Sequence, residues 1–284
     1  MYFTVTFVQL IVLQFCTIFS ITECSNILKE SLRIIGGNDA NSEKYPYVVR
    51  IEVKIRTIST NNTIIAEHYH LCTGSALSSR WVLTAAHCLL FPLLSFNLKV
   101  VIRYGKGFDP QRTNHSFSDV LQAIKHPLYR KHENDIGLIQ VTPMSIENYM
   151  KISAVDYLSI LGHEAVIAGF GITNVTLSGG KIERNDTLAL KKPLQVLKVL
   201  IYKCPEYYFT SSYCLAKRCG HQVTVCRGDS GGPLIHSSGI AGILFLGERT
   251  ADCLDQIPKT STNIAGIALP ISPYIEWIYS YVSS

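Results

Sequence analysis

Short apolar runs separated by turn-rich gaps are the feature that most restricts the fold of this 284-residue chain. Each run is long enough for one strand, and long helical periodicity is absent before the C-terminus. Many short strands at intervals are typical of a β-barrel or a β-sandwich. An all-β fold is therefore predicted, with candidate strands at Tyr47–Ile55, Leu98–Tyr104, Ile136–Val141, Glu164–Gly169, Leu194–Ile201, Ile240–Leu246 and Ile264–Leu269.

Two segments depart from this strand pattern. Residues 172–193 are polar and contain Gly179-Gly180, which predicts an exposed loop within a domain. The C-terminus predicts a helix that Ser272 caps and in which Pro273 takes the first position. The apolar stripe of this helix consists of Ile275, Ile278, Tyr279 and Val282.

The N-terminus predicts secretion. Residues 3–20 are almost wholly apolar and polar residues follow at once, which favours a signal peptide over a retained membrane anchor. Cleavage after Ser20 keeps Cys24, whereas cleavage after Cys24 removes it. Four sequons in such a chain indicate glycosylated surface loops; they begin at Asn61, Asn114, Asn174 and Asn185.

Composition excludes several classes of function. The chain has 26 Lys and Arg against 21 Asp and Glu, a net charge of +5, and no dense basic run with interleaved aromatic residues. No nucleic-acid partner is therefore expected. Residues 98–118 contain no carboxylate-rich calcium loop, and we expect neither a metal nor a cofactor.

The nine cysteines predict disulfide bonds. Their spacing contains no CxxC pair of the zinc type, and a secreted chain folds in an oxidising compartment. Spacing alone gives no connectivity. The cysteines are Cys16, Cys24, Cys72, Cys88, Cys204, Cys214, Cys219, Cys226 and Cys253.

Three separate segments carry residues suited to nucleophilic catalysis. Ser230 lies in CRGDSGGPL (226–234), His87 in LTAAHC (83–88), and Asp135 heads the apolar run 136–141. A serine hydroxyl is a weak nucleophile, which needs a base, and the base needs a group that fixes its tautomer. The N–H groups of Gly228 and Ser230 are spaced to stabilise one oxyanion.

The order His, Asp, Ser and the residues around them resemble the trypsin/chymotrypsin family of serine proteases over about residues 34–284. The resemblance implies two antiparallel six-stranded β-barrels with a C-terminal helix and an active site in the cleft between the barrels. It makes His87 the general base, Asp135 the orienting carboxylate and Ser230 the nucleophile, with Gly228 and Ser230 as the oxyanion hole. The implied reaction is peptide-bond hydrolysis through an acyl-enzyme.

The same resemblance implies a zymogen. Arg33 precedes Ile34-Ile35-Gly36-Gly37, which looks like the activation site of the family. Cleavage there by an upstream trypsin-like protease frees an Ile34 amine, which pairs with Asp229. The implied organisation is a signal peptide at 1–24, an activation segment at 25–33 and a protease domain at 34–284.

Disulfide pairing also follows from the resemblance. It implies Cys72–Cys88, Cys204–Cys214 and Cys226–Cys253. Cys219 then has no family partner, and three outcomes stay open. A free thiol ranks first, a bond to Cys24 ranks second, and an intermolecular bridge is the third.

By resemblance, Thr224 lies at the base of the specificity pocket, and Gly247 and Gly266 line its walls. Thr224 offers no charge to a Lys or Arg side chain, which favours a large apolar P1 residue. The expected partners are a protein or peptide substrate, the activating protease and protein inhibitors. A monomer without membrane attachment after processing is expected.

Four residues depart from the family pattern. Phe245 replaces a serine that hydrogen-bonds the triad aspartate, and Leu246 replaces the tryptophan after it. Ala268 replaces a pocket tyrosine, and Thr73 replaces a glycine. The strand with Phe245 lies against the substrate backbone in the family, so a weakly active or non-catalytic homologue that binds or regulates stays open as the alternative.

Overall fold

The computed structural model describes residues 37–40, 43–58, 64–89, 98–105, 116–130, 133–171, 176–178, 181–183, 193–205, 212–217, 223–246 and 264–283. The strands in these ranges, numbered along the chain, are β1 (Asn38–Asp39), β2 (Val48–Ile58), β3 (Ile64–Ala76), β4 (Trp81–Thr84), β5 (Leu98–Tyr104), β6 (Ser116–Lys125), β7 (Gly137–Val141), β8 (Glu164–Gly169), β9 (Thr176–Ser178), β10 (Lys181–Glu183), β11 (Gln195–Lys203), β12 (Tyr213–Ala216), β13 (Pro233–His236), β14 (Gly239–Leu246) and β15 (Ile264–Pro270). One α-helix, α1 (Ile275–Val282), follows them.

Strands β2 to β7 form the first barrel. They pair antiparallel in the order β2-β3-β4-β7-β6-β5, and pairing between β5 and β2 closes the ring. Its interior is aliphatic, with Ile51, Ile102 and Leu138 fully buried. Burying each such side chain contributes about 1.5–3 kcal/mol, which explains why the apolar runs became strands.

The second barrel contains β8 and β11 to β15. Its order is β8-β11-β12-β15-β14-β13, and it closes where Leu234 of β13 pairs with Ile167 of β8. Strand β1 adds to its outside, along β11. The two antiparallel six-stranded barrels with a C-terminal helix confirm the predicted fold class.

Eight of the described strands have no counterpart in the sequence-based prediction, namely β1, β3, β4, β6, β9, β10, β12 and β13. Strands β3 and β6 contain many polar and charged residues. Nine of the ten side chains in β6 are exposed or partly buried, and in β3 the described side chains from Glu67 to Leu71 are as well. The polar segment 172–193 contains the antiparallel pair β9 and β10 where only a loop was predicted. Gly179-Gly180 separates these two strands in the sequence, and such pairs favour hairpins.

The helix at the C-terminus is confirmed, but its predicted start is wrong. A 3₁₀ turn at Ser272–Tyr274 precedes α1 and contains Pro273. The Ser272 hydroxyl does not cap the helix; it accepts a hydrogen bond of 3.1 Å from the Tyr157 N–H. In the described part of the chain, no helix has the length and apolar character needed to span a bilayer.

Candidate active site

Two hydrogen bonds join His87 to Asp135 in the first barrel. His87 lies in a 3₁₀ turn, Ala86–Leu89, that follows β4, and Asp135 lies just before β7. The Oδ1 atom of Asp135 accepts a hydrogen bond of 2.8 Å from the backbone N–H of His87. The Oδ2 atom of Asp135 lies 2.7 Å from Nδ1 of the His87 ring. Asp135 is buried, whereas the His87 side chain is 31% exposed.

This pairing fixes the tautomer of the imidazole. An ionised carboxylate only accepts hydrogen bonds, so Nδ1 of His87 carries the proton. Nε2 is then the basic nitrogen, available to take a proton from a neighbouring hydroxyl. A buried carboxylate also stabilises the imidazolium that forms when this happens.

The loop that carries Asp135 is braced by the C-terminal segment. Asn134 has a positive φ of 50°, and its side chain accepts 3.0 Å from the Tyr274 hydroxyl and donates 3.0 Å to the Leu128 carbonyl. The His126 N–H donates 3.0 Å to the Ile136 carbonyl on the other side. Tyr274 is a supporting residue that no local motif around Asp135 reveals.

The Ser230 loop is packed against the segment that leads to His87. The Ser230 carbonyl accepts 2.9 Å from the Thr73 N–H, and the Cys88 Sγ lies 3.8 Å from the same oxygen. Gly231 has a φ of +81°, and a Cβ there would collide with the Thr84 hydroxyl. Only glycine fits this contact, which brings the serine loop to the end of β4.

Asp229 is buried beneath this loop. Its Oδ1 accepts 2.7 Å from the Gly171 N–H and its Oδ2 accepts 2.9 Å from the Cys226 N–H. Burial raises the pKa of Asp229 to about 6, although both hydrogen bonds act in the opposite direction. A Cβ at Gly169 or Gly171 would collide with the carboxylate. Arg33 and Ile34, its predicted activation residues, lie outside the described residues.

Two side chains that the sequence-based prediction missed, the buried Thr73 and the partly buried His70, hold the Gly228 carbonyl. The Thr73 hydroxyl donates to it at 2.7 Å, and His70 Nε2 lies 3.0 Å away. A carbonyl only accepts, so Nε2 of His70 carries the proton. Burial and the nearby Arg50 lower the pKa of His70 to about 3, which keeps it neutral. No local motif signals these contacts, because they join residues 155 and 158 positions apart.

Thr224, the residue predicted at the bottom of the specificity pocket, lies in a segment next to that of Gly266, which was predicted to line the pocket wall. The Val225 N–H donates 2.7 Å to the Ala265 carbonyl, which joins the segment of Thr224 to the segment of Gly266. Thr224, Val225, Ala265 and Gly266 are all buried. Apart from Thr224, these residues are apolar or glycine. Gly247 lies outside the described residues, as does the side chain of Leu246.

Phe245 lies in β14 and is buried. It belongs to the hydrophobic cluster that also contains Ile136, the residue after Asp135. The backbone just before it is fixed to the serine loop, because the Leu244 carbonyl accepts a hydrogen bond of 2.7 Å from the Gly231 N–H. Ala268 is fully buried and pairs with Leu244 across β14 and β15.

Two of the implied disulfides are confirmed. Cys72 bonds to Cys88 beside His87, and Cys204 bonds to Cys214 in the second barrel. Cys226 is also disulfide-bonded. Cys253, its implied partner, lies outside the described residues, as do Cys219 and Cys24.

Among the residues that the structure covers, one group of three potential metal ligands lies close together: Cys72, His87 and Cys88. Both sulfurs of this group are joined in a disulfide and are not thiolates. Metals bind cysteine as the thiolate, so this group does not offer a metal site.

Comparisons with known proteins agree with this geometry. The family model for trypsin matches residues 34–278. Granzyme M of Rattus norvegicus is 31% identical over 266 residues, which cover 87% of this chain and 88% of that protein. Serine protease SSP1 of Scolopendra subspinipes is 29% identical over 266 residues, with 89% and 84% covered. Trypsin-3 of Salmo salar is 26% identical over 272 residues, with 94% and 100% covered. The chain therefore belongs to the trypsin family of serine endopeptidases, hydrolases that act on protein or peptide substrates.

Proposed function

We propose that this protein is a secreted serine endopeptidase, made as a zymogen, that cleaves after large apolar P1 residues through an acyl-enzyme. The observation that carries the proposal is the pair of bonds between His87 and the buried Asp135, at 2.7 and 2.8 Å. Such a pair orients one imidazole nitrogen as a base and stabilises its charged form.

In this mechanism, Nε2 of His87 takes the proton of Ser230 as its Oγ attacks the scissile carbonyl. The N–H groups of Gly228 and Ser230 stabilise the oxyanion of the tetrahedral intermediate. His87 then gives the proton to the leaving amine, and water hydrolyses the acyl-enzyme by the same steps. The tight packing of the serine loop against β4 supports these roles.

The P1 preference rests on the walls that neighbour Thr224. Thr224 is buried, and its neighbours in the two joined segments, Val225, Ala265 and Gly266, are apolar or glycine. The described segments 223–226 and 264–270 offer no carboxylate, so a charged P1 side chain would lose its hydration beside them without an ionic partner from them, which costs several kcal/mol. An apolar side chain gains free energy from the same burial.

Activation at Arg33 is supported by the state of Asp229. Its carboxylate is buried and its described bonds come from two neutral N–H groups, so burial leaves its pKa raised to about 6. A new amine at Ile34, produced by a trypsin-like protease, would supply the missing charge. Secretion rests on the apolar segment at 3–20 and the disulfides, and the four sequons then carry glycans. We propose a monomer that protein inhibitors can block.

A fluorophosphonate label tests the catalytic roles. We expect the protein cut at Arg33 to incorporate one label on Ser230, found by peptide mapping, and Ser230→Ala to incorporate none. Ser238 is a matched control, because its Oγ lies 2.7 Å from a histidine nitrogen, Nδ1 of His236, outside the proposed catalytic residues. Ser238→Ala should label like the wild type. A folded, cut protein without label at Ser230 would favour a homologue that only binds.

A further inference from the structure

The buried contacts of Thr73 link the serine loop to both barrels. Thr73 lies in β3 of the first barrel and is fully buried. Its N–H donates 2.9 Å to the Ser230 carbonyl, and its hydroxyl donates 2.7 Å to the Gly228 carbonyl. The same hydroxyl accepts 3.1 Å from the Phe170 N–H, just after β8 of the second barrel.

Thr73 is itself held in place. Its carbonyl accepts 2.9 Å from the Thr84 hydroxyl, at the end of the strand that leads to His87. A threonine side chain has few rotamers, so a hydroxyl with two buried partners has one orientation. Each polar group that Thr73 presents is thus used, and none of these bonds faces solvent.

Gly228 needs such an anchor. Its φ of +92° is a conformation that glycine adopts freely, so the residue itself does little to restrict rotation of its peptides. An oxyanion donor is effective only if it is already oriented before the reaction. The Gly228 carbonyl belongs to the peptide between Gly228 and Asp229. Anchoring it fixes one of the two peptides that flank Gly228, which leaves the Gly228 N–H fewer orientations.

We propose that Thr73 is a positioning residue for the oxyanion hole, acting through its hydroxyl on the Gly228 carbonyl. This rests on the proposed catalytic function. His70 contacts the same carbonyl at 3.0 Å and shares this task. The hydroxyl of Thr73 adds what His70 does not: a bond to Phe170, and so a fixed distance between the serine loop and β8.

The test compares substitutions that keep or remove the hydroxyl. Thr73→Val keeps the shape, Thr73→Gly restores the residue usual in the family, and Thr73→Ser keeps the hydroxyl. Thr142→Val is the matched control, because Thr142 Oγ1 accepts 3.0 Å from the Asp119 N–H in the same barrel, beyond the far end of β7. Thr142→Val removes one side-chain hydrogen bond of a partly buried threonine whose described hydrogen bonds do not include the serine loop.

We expect Thr73→Val and Thr73→Gly to lower kcat of the cut enzyme by about tenfold, with KM within about twofold of the wild type. The affinity for a peptide aldehyde, which forms a tetrahedral adduct, should fall by the same factor as kcat. Thr73→Ser should retain at least about half of the wild-type kcat, and Thr142→Val should lower stability only. Unchanged kcat in folded Thr73→Val and Thr73→Gly, counted per active site, would overturn the proposal.

Amide hydrogen exchange separates this proposal from the proposed function. In Thr73→Val, the amides of Thr73 and Asp229 should exchange at least about tenfold faster than in wild type, and in Thr142→Val they should not. If the cut wild type takes no fluorophosphonate label, the proposed function fails and the exchange comparison decides the role of Thr73. Equal exchange in the two valine variants would then overturn it.

Discussion

At the residue scale, the site depends on buried groups that no motif contains. His87, Asp135 and Ser230 stand in recognisable segments, and the first two meet as the sequence predicts. The donors to the Gly228 carbonyl, Thr73 and His70, come from another strand. In the sequence, Thr73 stands out only because it replaces a glycine of the family pattern. Its contact with Gly228, more than 150 positions away, is a property of the folded chain.

The first prediction concerns the effect of replacing Phe245 on turnover and stability. Phe245→Ser gives the Asp135 carboxylate a donor, and a hydrogen bond to a charged group is worth about 1.5–3 kcal/mol. We expect about tenfold or greater acceleration on a small ester, together with a loss of stability of about 3–5 kcal/mol because Phe245 is buried.

Phe245→Ala is the matched control, since it opens a similar cavity without a donor. If Phe245 only shapes a subsite, both variants change P2 or P3 preference and leave small esters unaffected. Unchanged kinetics on small and extended substrates would refute both versions.

Thr224 makes the second prediction. On a peptide library varied at P1, the wild type should prefer Phe, Tyr or Leu over Arg. Thr224→Asp should move the preference towards Lys and Arg, while Thr224→Asn, which has the same shape without the charge, should not. Faster wild-type cleavage after Arg than after any apolar residue would show that Thr224 is not the base of the pocket.

His70 makes a prediction about pH. Its folded pKa of about 3 lies below its ordinary value of 6.5, so folding favours the neutral form. Its contribution to stability is present above pH 6.5 and is lost towards pH 3, by about 1.4 kcal/mol per pH unit.

Asp229 has the opposite effect on the free energy of unfolding. Its folded pKa is raised to about 6, so its contribution to stability increases as pH falls from about 6 to 4. Asp229 is present in both the wild type and His70→Gln, so its contribution cancels in the difference between their free energies of unfolding. The excess unfolding free energy of the wild type over the variant should shrink as pH falls from 6.5. A constant difference across that range would contradict a neutral, buried His70.

At the element scale, the apolar runs predicted the buried strands well, and the polar strands poorly. Strands such as β5, β7 and β15 have continuous or nearly continuous apolar cores. Strand β3 carries the exposed Glu67 and the partly buried His68, Tyr69 and His70 in succession, so its apolar pattern is weak. Its place in the barrel wall is set instead by antiparallel pairing with β2 at eleven positions.

The two disulfides in the barrels make the fourth prediction. They close segments of 16 and 10 residues, so removing either pair by Cys→Ser substitution should cost about 3 kcal/mol of stability. Only loss of Cys72–Cys88 should also lower kcat, because Cys88 adjoins His87 and lies 3.8 Å from the Ser230 carbonyl. Equal loss of kcat from removing Cys204–Cys214, measured below the unfolding midpoint, would argue against local anchoring of His87.

At the scale of the whole molecule, the two barrels bring together segments that are distant in the chain. The first barrel supplies His87, Asp135 and Thr73, and the second supplies the Ser230 loop and the walls beside Thr224. The family resemblance predicted the two six-stranded barrels correctly. Periodicity alone predicted only a barrel or sandwich, because it says nothing about which strands pair.

The central claim is that Ser230 forms an acyl-enzyme once the chain is cut at Arg33. Pre-steady-state hydrolysis of a nitrophenyl ester with an apolar acyl group tests it most directly, before and after limited trypsin cleavage. We expect a burst of about one nitrophenolate per chain whose N-terminus is Ile34, turnover at least about tenfold above the uncut chain, and no burst from Ser230→Ala. A folded, cut wild-type protein with no burst, or equal turnover before and after cleavage, would contradict this account.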